Sequence, residues 1–292
     1  MSTLRLEFDI GINWTDDGSF DPIILHRPTS SLSDITCDDS SQSETLYVRQ
    51  GKRIHRGRST LVWAAQMQRG GESPIDIVFK LTTLKAHHDD LLKEAGFYQN
   101  ELATVQGKIV PKFYGIFQGH FGSRFITCMV LEHCGQPMRE AQYQNLDFKV
   151  ELVNRLQYLH SSCGIEHGDV CGGNILVSHG YPVFIDFEHA RPHNCKRSMA
   201  IEVGKPWPQV LEFGCFELHD AGKYFGIWGP AIVEFLDDCI SVYQITSPKR
   251  LVELTLHNDY IDPDDALEQA QEFVQYLVNR GTLPKSVLTM SK

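Results

Sequence analysis

Residues 167–174 read HGDVCGGN and residues 184–190 read FIDFEHA. Asp169 stands five positions before Asn174, and Asp186 ends the apolar run PVFID. Carboxylate and amide oxygens are hard ligands of the kind Mg²⁺ takes. A carboxylate beside a hydroxyl can accept its proton as that hydroxyl attacks a phosphoryl group. An ionised carboxylate at the end of a buried run is costly unless it is paired or bound to a metal. The set therefore suits metal-bound phosphates, with Asn174 and Asp186 holding Mg²⁺ and Asp169 receiving the proton. Taken singly, either Asp serves equally well as a turn cap.

These side chains need elements to hold them. NILVSHGYPVFIDF reads as two short strands around an HGYP turn. Before it, FKVELVNRLQYLHSSCG repeats apolar residues at Phe148, Leu152, Leu156 and Leu159, a helix with Gly164 as its stop. Upstream, LYVRQGKRIH, STLVWAAQM and IDIVFKL are rich in β-branched and aromatic residues and read as strands. DDLLKEAGFYQNELATVQ reads as a helix, and VPKFYGIFQGHFGSRFITCMVLEHC as two strands joined at a Gly-containing turn. LRLEFDI near the N-terminus reads as a short strand packing on the main body. Downstream, ELHDAGKYFGIWGPAIVEFL and DPDDALEQAQEFVQYLVNRG read as helices. Residues 28–45, PTSSLSDITCDDSSQSET, lack apolar periodicity and read as an exposed connector.

The order of these motifs resembles the protein kinase-like superfamily over residues 46–292, most closely its fungal protein kinase-like members. LHSSCGIEHGDVCGGNILV is similar to that superfamily's LHxxGIxHRDLxxxNIL catalytic loop, and IDFE to its DFG metal motif. The fungal pattern HGD…NIL…IDFExA followed by His-x-Cys stands here as HGDVCGGNILVSHGYPVFIDFEHARPHNC. The resemblance implies an α+β bilobal fold: an N-terminal extension over 1–45, a small β-rich lobe over 46–135 and a larger helical lobe over 136–292. It implies ATP and Mg²⁺ as cofactors, Asp169 as catalytic base, and Asn174 and Asp186 as metal ligands. It further implies Lys80 of IVFK as the phosphate clamp, paired with Glu94. Gly57 and Val62 would belong to the phosphate-covering loop, and the Glu132 and Cys134 backbone would hold adenine in a hinge. The function implied is phosphoryl transfer to protein serine or threonine. A small-molecule kinase of the aminoglycoside or choline type and a non-catalytic pseudokinase binding module are the alternatives.

Several residues depart from that pattern. His55 and Thr60 stand where the loop carries glycines, Gly168 replaces the Arg of HRD, Cys171 replaces the catalytic-loop Lys, and Glu188 replaces the Gly of DFG. Lys196, Arg197 and Lys205 of the following segment are candidates to replace that catalytic-loop Lys, and Asp220 is a candidate prop for the catalytic loop. His193, Cys195, Cys215 and His219 have spacings that zinc accepts, but C-x-x-C pairs are missing. Free cysteine is commonly a small core residue, which weighs against metal. The resembling fungal proteins share the HxC and GC-x-EL elements, which implies only that these two stretches pack together.

The 292 residues carry a net charge of −10, which disfavours a general nucleic-acid binder. Hydrophobic residues at 42% are ordinary for a globular protein, and no segment approaches a membrane span. The eight cysteines are scattered, which suits reduced thiols in a cytoplasmic or nuclear protein. The expected partner is a protein or small-molecule hydroxyl substrate, with no nucleic acid and no membrane.

Overall fold

A computed structural model describes residues 2–13, 19–28, 44–57, 60–255 and 261–288. Residues 29–43 of the Ser/Asp-rich connector, including Cys37, lie outside the described residues, as do Arg58 and Ser59 after Gly57. The chain divides into two compact units: Met1–Met138 with Cys163–Pro192, and Arg139–Ser162 with His193–Lys292.

The first unit is built on seven strands: β1 (Thr3–Leu6), β2 (Ile23–His26), β3 (Thr45–Arg56), β4 (Leu61–Arg69), β5 (Ile75–Thr82), β6 (Phe113–Phe121) and β7 (Arg124–Glu132). Their order is β1-β2-β6-β7-β5-β4-β3, and β3 pairs back onto β1 in parallel to close a mixed barrel. Alternation decides what the barrel encloses. Leu4 and Leu6, Ile23 and Leu25, Trp63, Ala65 and Met67, and Ile77, Phe79 and Leu81 are buried in one core. Trp63 and Phe79 stack there with ring centres 6.4 Å apart. Helix α1 (His88–Gln99) follows β5 and buries Leu91, Glu94, Ala95 and Tyr98, one helical face at i, i+3, i+4 and i+7.

This closed barrel overturns the bilobal kinase-like fold class expected from the motifs. Residues 1–45 were expected to be an extension, yet Leu4 and Leu6 are fully buried and β1 and β2 complete the sheet. A barrel has no open edges, which an open small-lobe sheet would expose. Nor is everything after residue 135 a helical lobe. β8 (Gln136–Pro137), β9 (Ile165–Glu166), β10 (Ile175–Ser178), β11 (Tyr181–Phe184) and β12 (Arg191–Pro192) belong to the barrel's unit. β8, β10 and β11 form one small sheet, with β10 and β11 joined at His179 and Gly180, both at positive φ.

The second unit mixes α2 (Glu140–Gln144), α3 (Leu146–Ser161), α4 (Val210–Phe213), α5 (Phe216–Tyr224), α6 (Pro248–Leu254) and α7 (Pro263–Asn279) with a hairpin, β13 (Ile232–Phe235) and β14 (Asp238–Ser241). The expected helix over 217–236 stops at Tyr224. Gly226, Gly229 and Pro230 break it, and Leu236 and Asp237 at positive φ turn the chain back as a hairpin. Val233, Phe235 and Ile240 of that hairpin bury against Ala270, Val274 and Leu277 of α7. Helix α7 begins with Asp262 accepting from the Asp264 N–H and Pro263 in its first turn. Among the described residues no helix is long and apolar enough to cross a membrane.

Candidate functional site

Lys80 lies on β5 between Phe79 and Leu81, which point into the barrel, so its side chain leaves from the outer face toward α1. There it meets Glu94, a carboxylate on the buried stripe of α1 that is 2% exposed. Lys80 Nζ donates to Glu94 Oε1 at 2.8 Å and Oε2 at 2.9 Å, and to Asp186 Oδ1 at 2.6 Å. Three ammonium donors are thus matched by three carboxylate oxygens. The Phe187 N–H also donates to Glu94 Oε1, at 3.2 Å. The Phe187 ring is fully buried against Tyr98, 5.6 Å away, and His167, 4.6 Å away.

Burial disfavours the Lys80 ammonium, but Glu94 and Asp186 outweigh it and hold its pKa above the ordinary lysine value. Burial also opposes the Asp186 carboxylate, and the adjacent Lys80 nevertheless lowers its pKa. Glu94 goes the other way: burial raises it, and Lys80 offsets that only in part. Asp186 is the half-open member of the trio, its side chain 39% exposed against 2% for Glu94. Its backbone is left-handed at φ 69° and ψ 68°, a conformation that non-glycine residues rarely hold without a local purpose.

The loop before β10 is organised by His167. The Asp169 N–H donates to His167 Nδ1 at 3.3 Å, and His167 Nε2 donates to the Ile185 carbonyl at 3.0 Å. One fully buried ring therefore ties the Asp169 loop to the residue preceding Asp186. Gly168 explains the missing Arg of HRD. It has φ +83°, and a Cβ would lie 2.4 Å from the His189 carbonyl oxygen. Asn174 Nδ2 donates to Asp169 Oδ2 at 2.8 Å and to the Asp169 carbonyl at 3.0 Å. With its amide nitrogen so engaged, Asn174 offers a cation its Oδ1.

Val62 pairs with Lys80 across β4 and β5. The Gly57 N–H donates to the Thr60 carbonyl at 2.9 Å, closing the turn between β3 and β4. Glu132 ends β7; its N–H donates to the Lys112 carbonyl, and its carboxylate accepts from the Lys112 N–H at 3.1 Å and the Cys134 thiol at 3.6 Å. Burial, reinforced by Glu132, pushes the Cys134 thiol up to about 12. Lys80, Glu94 and Asp186 thus meet directly, Asp169 pairs with Asn174, and Glu132 pairs with Cys134. Sequence reasoning missed His167 and Phe187 as positioning residues, although both stand inside the quoted motifs. Asp220 is in the second unit with its side chain 76% exposed, beside His219 at 3.4 Å, and Lys196, Arg197 and Lys205 belong to that unit as well.

The second unit holds another cluster of chemistry-bearing groups, in which the expected set is altered. His193, Cys195 and Cys215 come together, but His219 does not join them. Its Nε2 lies 2.8 Å from the Pro208 carbonyl, and His160 of α3 takes the fourth place. A signal for His160 did exist, because it stands four residues beyond Leu156 on the buried stripe of α3.

No family model matches this sequence and no curated protein matches it significantly, so its functional reading rests on geometry and chemistry.

Proposed function

We propose that the chain is a Mg²⁺-dependent phosphotransferase that moves the terminal phosphoryl group of ATP to a hydroxyl, with protein serine or threonine as the first substrate class. The observation that carries this reading is the Lys80 ammonium held by buried Glu94 on one side, at 2.8 and 2.9 Å, and by half-open Asp186 on the other, at 2.6 Å. A structural ion pair needs only one carboxylate. The second, more exposed one is exchangeable.

The donor set fits the implied cation. Asp186 and Asn174 supply a carboxylate and an amide oxygen, the hard ligands Mg²⁺ prefers, and no soft sulfur or imidazole donor is required. Bound Mg²⁺ would neutralise phosphate charge and compete with Lys80 for Asp186. Asn174 and Asp186 would hold that ion, and Lys80, kept in place by Glu94, would donate to a phosphate oxygen. Asp169 accepts the proton of the acceptor hydroxyl, whose oxygen bonds to the terminal phosphorus as the bond to the ADP oxygen breaks. Phosphoester and ADP are the products, and the proton leaves through Asp169. The described cysteines are unpaired thiols, which supports a reducing compartment such as cytoplasm or nucleus as the place of action.

A second reading has its own observation. Residues 169–174, DVCGGN, carry no cationic side chain, so that loop neutralises none of the charge on a transferring phosphoryl group. That favours a module that binds nucleotide without turning it over. Thermal denaturation with millimolar Mg-ATP tests both readings first. Binding at about a hundred times Kd stabilises by about 2.7 kcal/mol. A shift followed by transfer to peptide hydroxyls supports the enzyme, and transfer to hydroxyl metabolites alone moves the substrate class. A shift without transfer supports the binding module, and no shift defeats both.

A further inference from the structure

We infer that the second unit contains a closed, structural zinc site formed by His160, His193, Cys195 and Cys215. The inference is independent of the phosphotransferase reading. The ligand atoms of the four residues all lie within 4.8 Å of one another. Cys215 Sγ is 3.4 Å from His160 Nδ1 and 3.9 Å from His193 Nε2. Tetrahedral zinc with its usual bond lengths separates sulfur from nitrogen by about 3.6 Å. The two observed distances bracket that value. The donor set is Cys₂His₂, soft and mixed, and it completes the coordination with protein atoms alone. A full set of four protein ligands marks a structural site, since a catalytic one keeps a position for water.

The surroundings are organised as a metal site requires. His160 turns Nδ1 toward the sulfur, and its Nε2 lies 2.6 Å from Glu217 Oε2. Both of those side chains are buried, at 0% and 8% exposure. A carboxylate that takes the far N–H of a ligating histidine fixes its tautomer and strengthens its lone pair. Cys215 stands at the N-cap position of α5 and is buried, 2% exposed. The second cysteine is brought in by a close backbone approach. Gly214 has φ +81°, and a Cβ there would lie 2.3 Å from the Lys196 carbonyl oxygen, while the Ser198 N–H donates to the Phe213 carbonyl at 3.0 Å. Residues 195–198 and 212–215 are thus held side by side.

The sequence positions give the site its role. The second unit is discontinuous, made of Arg139–Ser162 and His193–Lys292. His160 comes from the end of the first piece, and the other three ligands come from the second. Zinc clips the two pieces together where the chain leaves the unit and where it returns. On binding, two thiol protons are released to solvent and Zn²⁺ takes two thiolates and two neutral imidazoles, a neutral set that tolerates burial.

The test is metal analysis of the full chain, purified under reducing conditions from zinc-supplemented medium, with native mass spectrometry. One zinc per chain is expected. Cobalt substitution should give the visible absorption of a tetrahedral, thiolate-bound ion. Cys195→Ser, at the less buried cysteine, should lose stoichiometric metal and lower the melting temperature, while His219→Asn should keep one zinc per chain. A chain that is folded and metal-free, with a melting temperature unmoved by added zinc, would overturn the site. So would a Cys195–Cys215 disulfide persisting under those conditions, or zinc retained in full by Cys195→Ser together with Cys215→Ser.

Discussion

Glu94 and His160 occupy the same kind of place in two separate units. Each is a polar side chain on the apolar stripe of a helix, among residues that would otherwise be a continuous core face. Their partners differ in chemistry. Glu94 is satisfied by an ammonium that also reaches Asp186, so its cluster is charged, made of oxygen and nitrogen, and open on the Asp186 side. His160 is satisfied by Glu217 on one ring nitrogen and faces two sulfurs and a second imidazole with the other. The first cluster is complete as an ion pair, and it is the exchange of Asp186 that the proposed phosphoryl transfer calls for. The second is complete only when a cation gathers its donors. A buried polar residue on a helix stripe is therefore informative, but what it announces depends on whether its neighbours bring a countercharge or lone pairs.

The largest expected effect falls on chemistry alone. Asp169 is exposed, so Asp169→Ala should leave the melting temperature nearly unchanged while reducing phosphoryl transfer by about 10²–10⁴-fold, measured as initial rate with saturating Mg-ATP. Unchanged turnover would remove Asp169 from the reaction. Next comes Lys80→Met, which leaves Glu94 buried without its cation. A loss of about 3–5 kcal/mol is expected in denaturant unfolding, and Lys80→Met combined with Glu94→Leu should recover much of it. Zinc content should stay at one per chain in that variant, since the two clusters share no residue. Loss of metal in Lys80→Met would break the comparison.

A smaller effect is expected at Gly168. Replacement by Ala sets a Cβ against the His189 carbonyl at positive φ and should cost about 1–3 kcal/mol, with nucleotide-induced stabilisation reduced as the Asp169 loop shifts. The smallest is a pH effect. Asp186 has a folded pKa below its unfolded one, so its contribution is present above the ordinary Asp value of about 3.9 and is lost as pH falls through the folded value. Glu94 is raised, so the native state binds its proton first and stability falls as pH rises from the ordinary Glu value of about 4.3 to the folded value. The two carboxylates therefore slope in opposite directions. Asp186→Asn should flatten the acid-side loss of melting temperature, and Glu94→Gln should remove the opposing rise. Identical profiles for the two variants would show that the trio does not titrate as described.

Much of the local structure was legible because it is written in short-range patterns. The alternation of IDIVFKL and the helical spacing of FKVELVNRLQYLH each specify an element without reference to the rest of the chain. The candidate oxygen ligands of the first unit were legible as types: Asp169, Asn174 and Asp186 stand beside apolar strand sequence, where such groups need a reason. The barrel was not legible. Its closure depends on TLRL pairing in parallel with β3 forty-two residues away, Thr3 with Thr45, and no local pattern encodes that register. The hairpin at Ile232–Ser241 was hidden within an apolar run whose period fits a buried helix as well as a strand.

By itself, then, the sequence determined which side chains could do chemistry and, for the most part, which elements carry them, because residue type and periodicity are local properties. Tertiary structure alone decided which of them meet. It set Lys80 between Glu94 and Asp186, placed His160 rather than His219 among the sulfurs, and made a glycine obligatory at position 168. Those choices follow from how distant backbone segments approach one another, and such approaches are fixed by packing the whole chain at once.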